Sequence, residues 1–461
     1  MTPANPMRLR ELIAAARPPK CASLRGAGAT FAYDEIPRGA IFSGRRRELE
    51  GKSVLVAAAS QLASALALIE LDGVASRLVI CPPDFTSEQL DSAIAQAEVD
   101  AILCDDPTKD FGADVPRYPC GPLVAGEARK SWLKRDTEWV LPTSGATGAP
   151  KLVAHSLEAL LGAIGTAPRD IVWATFYDIR RYGGLQIFLR AATSGATMVL
   201  SEPGEALADH LARCREAGVT HISGTPSHWR KLLMSPHVAM LAPEYVRLSG
   251  EIADRAILDA LRAAYPNARI VHAYASTEAG VGFEVSDGRE GFPASFVGGF
   301  KGVDMRVSDG SLRIRSARTA TRYIGRDDLR LADDEGFVDT DDVVELRGER
   351  YFFKGRRAGV INVGGLKVHP EEVEQVINSH GEVRMSLVRA RRNPIMGCVI
   401  VADVVLTSAA EPQARERRAA LENEILSTCR ERLERHKVPA VIEFVSTLDM
   451  IASGKLARRH A

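Results

Sequence analysis

Apolar and polar positions along this chain alternate between two rhythms. Residues 53–58 form a short continuous apolar run, 62–71 carry an apolar helical face, and 77–81 are apolar again and stop at Pro82-Pro83. Ser87 and Glu88 open a second helical stretch that reaches 96, and 99–104 is another apolar run. Short apolar runs bounded by turn residues predict buried strands, and helical spacing predicts the elements between them. The order β-α-β-α-β predicts a parallel α/β layer.

The alternation returns at 171–175, 197–200, 221–223, 246–248 and 269–272, with helical stretches between, which predicts a second α/β layer. From about Ser295 the pattern changes to short β-like runs at 303–307, 312–315 and 343–347. After Gly355-Arg356 a small unit begins, with strands expected near 360–361 and 387–389 and helices near 370–378 and 413–435. The expected fold class is α/β: a large N-terminal domain over 1–355, made of two α/β layers plus a small β-rich part, followed by a small mobile α+β C-terminal domain over 356–461.

A chain of 461 residues can bury the cores of two to three domains. Lys+Arg and Asp+Glu are equal at 59 each, so no net field favours nucleic acid or an anionic membrane. Cys21, Cys81, Cys104, Cys120, Cys214, Cys398 and Cys429 stand singly, without metal-ligand spacing, as expected of reduced and mostly buried thiols in a cytoplasmic protein. No apolar run has the length of a membrane span, and the stretch after Arg8 and Arg10 is too short for a signal-peptide core. These features suit an enzyme of small molecules, with neither nucleic acid nor membrane as partner.

The densest chemistry lies in Pro142-Thr143-Ser144-Gly145-Ala146-Thr147-Gly148-Ala149-Pro150-Lys151. Glycines let backbone N–H groups approach anionic oxygens, three hydroxyls add donors, and Lys151 supplies a cation at the rim. A P-loop is excluded, because Pro150 stands five residues after Gly145 and Leu152 follows Lys151. Further on come Tyr274-Ala275-Ser276-Thr277-Glu278 after an expected strand, Asp339-Thr340-Asp341-Asp342, Gly355-Arg356, Gly364-Gly365 ahead of an acidic helix start, and Ser453-Gly454-Lys455-Leu456-Ala457-Arg458.

In this order these segments resemble the signatures of the adenylate-forming superfamily, which comprises acyl-CoA synthetases, adenylation domains of peptide synthetases and luciferases. The resemblance implies a phosphate cradle of Thr143, Ser144, Gly145, Thr147, Gly148 and Lys151. It gives Tyr274 to adenine, Thr277 to phosphate, Glu278 to Mg²⁺, and Asp342 and Arg356 to the ribose. Gly364 and Gly365 lie in the segment presented to the thiol, and Lys455 enters the site when the small domain closes; Lys455, Thr147 and Glu278 are the expected catalytic residues. Ala275 and Asp341 stand where the family has glycine, and Ala358 and Gly359 stand where it has a polar hinge pair.

By the same resemblance the acid pocket is lined by Phe176, Arg181, Tyr182, Gly183, Gly184, Ser223, Ser249, Gly250 and Val281. Tyr182 falls where peptide-synthetase domains hold the aspartate for an α-amino group, which disfavours an amino acid, although Asp178 offers an alternative amine contact. Arg180-Arg181 could pair with a second carboxylate or phenolate, or be surface arginines. The implied reaction is acyl-AMP formation from ATP and a carboxylic acid, a small aryl or short-chain acid being favoured, followed by transfer to a thiol, with coenzyme A as the expected acceptor. Two alternatives stay open: loading of a carrier-protein phosphopantetheine or an amine, and a catalytically silent nucleotide-binding regulator.

Overall fold

The cleft of this protein is framed by two parallel-rich sheets and a small antiparallel one. The computed structural model describes residues 7–19, 21–36, 39–41, 45–105, 111–112, 114–120, 124–125, 135–143, 149–165, 170–202, 204–393, 397–407 and 415–458. Among these, the first sheet has the spatial order Arg322–Ile324, Lys151–His155, Glu138–Thr143, Arg77–Ile80, Ser53–Val56, Ala101–Cys104, Arg117–Pro119. Its 53–56, 77–80 and 101–104 strands are parallel, as the β-α-β-α-β pattern predicts, and the strand 138–143 joins them in parallel beside 77–80. The strand Lys151–His155 returns antiparallel and pairs Lys151 with Thr143, so the Ser/Thr/Gly-rich segment connects two neighbouring strands.

The second sheet runs Gly280–Val285, Arg269–Ser276, Tyr245–Ser249, His221–Gly224, Val172–Thr175, Thr197–Val199, Ser23–Arg25, Thr30–Ala32. Its last two strands come from the N-terminal segment, whose few apolar positions carry no readable strand pattern; pairing with Thr197–Val199 supplies the order. Helix Gln61–Leu71 is buried along almost its whole length, with Leu62, Leu66, Leu68 and Ile69 in the core. A helix apolar on all sides requires such a central position. The Ser60 hydroxyl starts it by accepting the Leu62 and Ala63 N–H groups at 3.1 and 3.3 Å.

The strands Val303–Ser308, Ser311–Ser316, Val338–Arg347 and Arg350–Arg356 form the antiparallel part, joined by Phe292–Pro293 at one edge. The C-terminal unit has its own core of Val368, Val373, Ile377, Val401, Leu421 and Ile425, built from helices Pro370–Asn378 and Arg415–Arg432 and a sheet of Val383–Asn393, Gly397–Leu406 and Val441–Phe444. It meets the large unit through a buried ion pair. Arg230 holds Asp254 at 2.5 Å and donates to the Arg384 carbonyl at 2.7 Å, while Asn378 donates to the same Asp254 oxygen at 3.4 Å.

Candidate active site

The carboxyl ends of the parallel strands Val172–Thr175, His221–Gly224, Tyr245–Ser249 and Arg269–Ser276 open on one side of the second sheet, where open α/β sheets hold ligands. Tyr274 stands near the end of the last of these. Its ring stacks on Phe353 at 5.2 Å between centroids and lies beside Phe283 at 5.6 Å. Its hydroxyl donates to Asp342 Oδ2 at 2.6 Å, and Arg356 Nε lies 3.4 Å from Asp342 Oδ1. Asp342 and Arg356 are register partners on neighbouring strands, which is why two residues 14 positions apart meet. Burial raises the Asp342 pKa above the usual carboxylate value, with Arg356 and the Tyr274 hydroxyl opposing it.

Asp341 occupies the position where the sequence resemblance expects glycine, and its φ of 61° is the left-handed conformation glycine would take. The local turn is therefore kept at some backbone cost. Aspartate is one of the few residues that tolerate this region. Its carboxylate accepts the Ala358 N–H at 3.3 Å and lies 3.7 Å from Arg357 Nε. The segment that lacks its own polar hinge side chain thus borrows a carboxylate from an adjacent strand.

Lys455 lies on the turn after Met450, on the C-terminal unit. Its Cε is 3.5 Å from where a Cβ on Gly250 would sit, at the mouth of the strand Tyr245–Ser249. Burial and the neighbouring Arg356 lower its pKa, while Glu251, Asp342 and Glu278 oppose this. Three residues that the sequence reading did not single out hold the turn. Thr225 caps helix Pro226–Met234 and its hydroxyl also donates to the Gly454 carbonyl. The His228 ring lies against Gly454, where an added Cβ would be 1.7 Å from its Cε1. Glu251 accepts the Leu456 N–H at 3.1 Å together with the Ser227 N–H and hydroxyl at 2.9 and 3.0 Å. Burial and Lys231 lower the His228 pKa to about 3, so its neutral Nδ1 accepts the Thr225 N–H at 3.2 Å. The available signal was Thr225-Pro226, a capping residue followed by proline at a helix start.

Thr143 ends one strand and Lys151 begins the next, with Lys151 Nζ 5.7 Å from the Tyr323 ring centre. Ser144, Gly145, Thr147 and Gly148 lie outside the described residues. Thr277 and Glu278 follow the strand that carries Tyr274, and the backbone of Thr277 faces His155, whose pKa burial lowers to about 4. The Glu278 carboxylate has no hydrogen bond or ion pair among the described residues, although it lies within the electrostatic reach of Arg356 and Lys455.

Among the residues expected to line the acid pocket, Phe176 follows the strand Val172–Thr175, and next to it Tyr177 donates its hydroxyl to the Ser249 carbonyl at 2.6 Å. Tyr182 is buried at the start of helix Tyr182–Ser194, and Val281 is buried opposite Ala275. A Cβ added at Gly183 would rest 3.5 Å from the Tyr177 ring, and one on Gly184 would stand 2.2 Å from the Asp178 carbonyl oxygen, so the helix start admits no side chain at Gly184. Ser223, Ser249 and Gly250 line the strand ends. Arg181 is held by Asp84. Asp178 is bidentate to Arg180 at 2.8 and 2.6 Å, and the fully buried Arg180 also donates to the Ala58 and Ala59 carbonyls. Neither Asp178 as an amine contact nor Arg180 as a substrate contact is left with a free fork. Gly364 and Gly365 form the exposed turn of the hairpin Ile361–Val363 and Leu366–Val368, with φ of 58° and 90°, and take no part in the cluster around Lys455.

The model of the AMP-binding enzyme family matches residues 58–318, and that of the AMP-binding enzyme C-terminal domain matches 372–455. The chain is 27% identical over 358 residues to a 2-succinylbenzoate–CoA ligase of Salmonella typhimurium, covering 74% of this chain and 73% of that one. It is 24% identical over 425 residues to one of Bacillus velezensis, covering 85% and 79%. A benzoate CoA ligase from Burkholderia xenovorans shares the fold with a TM-score of 0.80 at 19% identity, over 98% of this chain and 99% of that one. An anthranilate CoA ligase in complex with anthranoyl-AMP does so with a TM-score of 0.78 at 15% identity, over 98% and 95%. The chain belongs to the AMP-binding enzymes of the adenylate-forming superfamily.

Proposed function

We propose that this protein activates a carboxylic acid with ATP to an acyl-adenylate, releasing pyrophosphate, and then transfers the acyl group to the thiol of coenzyme A. The observation that carries this reading is the position of Lys455, a lysine of the C-terminal unit held over Gly250 within reach of Asp342, Arg356 and Glu278. Carboxylate attack on the α-phosphorus gathers negative charge on the transferring group. An ammonium fixed there in a partly dry cleft stabilises that charge more than it stabilises the separate reactants. The relatives' names, ligases of 2-succinylbenzoate and of coenzyme A, support an aryl-bearing acid and a coenzyme A acceptor.

Asp342 and Arg356 suit the ribose, since one carboxylate can accept two hydroxyls and its Oδ1 side is engaged only by a 3.4 Å ion pair. Thr143, Lys151, Thr277 and the loop 144–148 would meet the phosphates. Glu278 fits a Mg²⁺ ion: its carboxylate has no protein partner among the described residues, and a single carboxylate with phosphate and water oxygens is the usual donor set of that hard cation. Bound there, the ion would neutralise phosphate charge. For the second step the C-terminal unit would turn about residues 355–359, withdraw Lys455 and bring the Gly364–Gly365 hairpin toward the thiol.

ATP–pyrophosphate exchange across aryl, short-chain, medium-chain and amino acids tests the reading. Exchange with one acid class is expected, lowered about a hundredfold or more in Lys455→Ala with ATP binding retained. Tight ATP binding without exchange for any acid would refute it in favour of a silent nucleotide binder.

A further inference from the structure

The helix Pro226–Met234 and the segment 250–254 are joined by two rungs. Ser227 and Arg230 stand three apart on the helix, Glu251 and Asp254 three apart on the segment, and each pairs with its opposite. The first rung holds the turn of Lys455, because Glu251 also accepts the Leu456 N–H at 3.1 Å and Thr225 at the helix cap donates to the Gly454 carbonyl. The second rung holds the body of the C-terminal unit. Arg230 Nη2 donates to Asp254 Oδ2 at 2.5 Å and Nη1 to the Arg384 carbonyl at 2.7 Å, while Asn378 Nδ2 donates to Asp254 Oδ2 at 3.4 Å. Ser386 orients that amide by donating to Asn378 Oδ1 at 2.9 Å, and Asp254 Oδ1 accepts the Ile257 N–H at 2.9 Å. Arg230, Asp254, Asn378 and Ser386 are all buried.

The second rung divides its charges unevenly. Both ions, Arg230 and Asp254, belong to the large unit, and the small unit brings only a carbonyl and an amide. Separation of the units therefore leaves the ion pair intact and strands no unpaired charge, which is the costly outcome when a buried pair is split. Arg384 opposes closing. Its half-buried side chain has no hydrogen bond or ion pair among the described residues, its Nε is buried without a partner, and burial together with Arg230 lowers its pKa. Two guanidinium groups on opposite sides of the interface repel each other when the units dock.

We propose that Arg230 and Asp254 are the positioning residues that dock the C-terminal unit with Lys455 in the cleft, through the Arg384 carbonyl and Asn378, and that the Arg384 guanidinium limits the strength of this dock. The proposal rests on the ligase reading above, in which the same unit turns away for thioester formation. Neither Arg230 nor Asp254 touches the reacting atoms. They fix the body of the unit, so the short terminal turn has little freedom left to lose when Lys455 is seated. The repulsion at Arg384 keeps docked and undocked populations within reach of one another, and a change on either side of that balance moves the two half-reactions in opposite directions.

The test is single-turnover measurement of each half-reaction, with the acid that exchanges best in the panel above and with its acyl-adenylate supplied for the second step. In Arg230→Gln adenylation should fall about tenfold or more, and in Asn378→Ala about 3- to 10-fold, while thioester formation from supplied acyl-adenylate holds or rises. Arg230→Lys keeps the charge beside Asp254 but not the fork that reaches Arg384, and should fall between wild type and Arg230→Gln. Arg384→Met should do the reverse, with adenylation kept or raised and thioester formation slowed about 3- to 10-fold. Equal loss in both half-reactions, or unchanged adenylation in both Arg230→Gln and Asn378→Ala, would overturn the dock and leave the ligase reading standing. Thioester formation as fast as wild type in Arg384→Met would overturn the role given to its guanidinium. Should Arg230→Gln fail to fold, Asn378→Ala and Arg384→Met decide. Absence of exchange with every acid in the wild type would instead overturn the ligase reading and this proposal with it.

Discussion

The sides of the cleft proposed for the nucleotide and for the acid are built in opposite ways. Around Tyr274 the polar groups pair with one another: the tyrosine hydroxyl on Asp342, Asp342 on Arg356, Asp341 on the backbone of Ala358. Around Ser223 they do not: its buried hydroxyl has no partner among the described residues, and Arg247 on the next strand holds Glu284 only at 3.4 Å. A side that meets the same nucleotide in every turnover gains from groups held in place before binding. A side that must tell one acid from another gains from donors that only the right acid satisfies, because a wrong acid then leaves them buried and unpaired.

The largest expected break comes from the turn that serves both sides. In Gly454→Ala the new Cβ would lie 1.7 Å from the His228 ring, so the turn cannot seat Lys455. Adenylation should fall about a hundredfold or more, since misplacement by an ångström costs about that much. Conversion of a supplied acyl-adenylate to the thioester should be affected far less. Equal loss in both half-reactions, measured by single turnover, would remove Lys455 seating as the cause.

Next in size is a change confined to the nucleotide side. Asp342→Asn removes a charged acceptor worth about 1.5–3 kcal/mol, so the KM for ATP should rise about 10- to 100-fold while that for the acid changes little. Because burial raises the Asp342 pKa, the wild-type affinity for ATP should weaken on acidification at pH values above the ordinary carboxylate range, as the proton removes the acceptor. That acidic limb should be missing from the asparagine variant in ATP titrations by calorimetry. A limb that persists unchanged would belong to another group.

On the acid side, Tyr177→Phe deletes the 2.6 Å hydrogen bond to the Ser249 carbonyl, a neutral bond worth about 0.5–1.5 kcal/mol. The acid KM should rise a few-fold with the ATP KM constant, the mirror image of Asp342→Asn. Steady-state kinetics with each substrate varied in turn would reveal a shared effect, which would count against two separate sides.

The smallest effect is expected at the hinge. Asp341→Gly keeps a residue suited to φ of 61° and removes the carboxylate that holds the Ala358 N–H. The exposed bond is weak, so adenylation should change less than twofold and thioester formation a few-fold, the step in which the C-terminal unit is proposed to move. Pre-steady-state rates for the two steps would separate a hinge role from simple loss of stability.

The residues proposed for the nucleotide side stand out in the sequence because they come as contiguous runs: Tyr274 with Thr277 and Glu278, Asp341 with Asp342, Gly454 with Lys455. A run of this kind keeps its internal geometry wherever the chain puts it. The expected phosphate cradle at 143–151 is a contiguous run as well, and its centre at 144–148 lies outside the described residues. The parallel layers also followed from local pattern, since a fully buried strand has to be apolar throughout. The N-terminal strands 23–25 and 30–32 did not, because their partners lie far along the chain and their own pattern is mixed.

The acid side was only partly readable. Ser223 and Tyr182 could be chosen by position, but Arg181 proved to be engaged by Asp84, and nothing near Arg247 in the chain marks it as different from any other arginine. Likewise Glu251 and His228 gain their meaning only when the last ten or so residues fold back over them. By itself the sequence determined the alternation of strands and helices, the division into a large and a small unit, and the kind of chemistry at hand, since each depends on neighbours in the chain. Which partner each arginine takes, Asp84 for Arg181 or Asp178 for Arg180, was decided by the tertiary structure alone. Strand register and domain docking assign the acceptors, so the surroundings of a buried charge are set by everything packed around it rather than by the residues beside it in the chain.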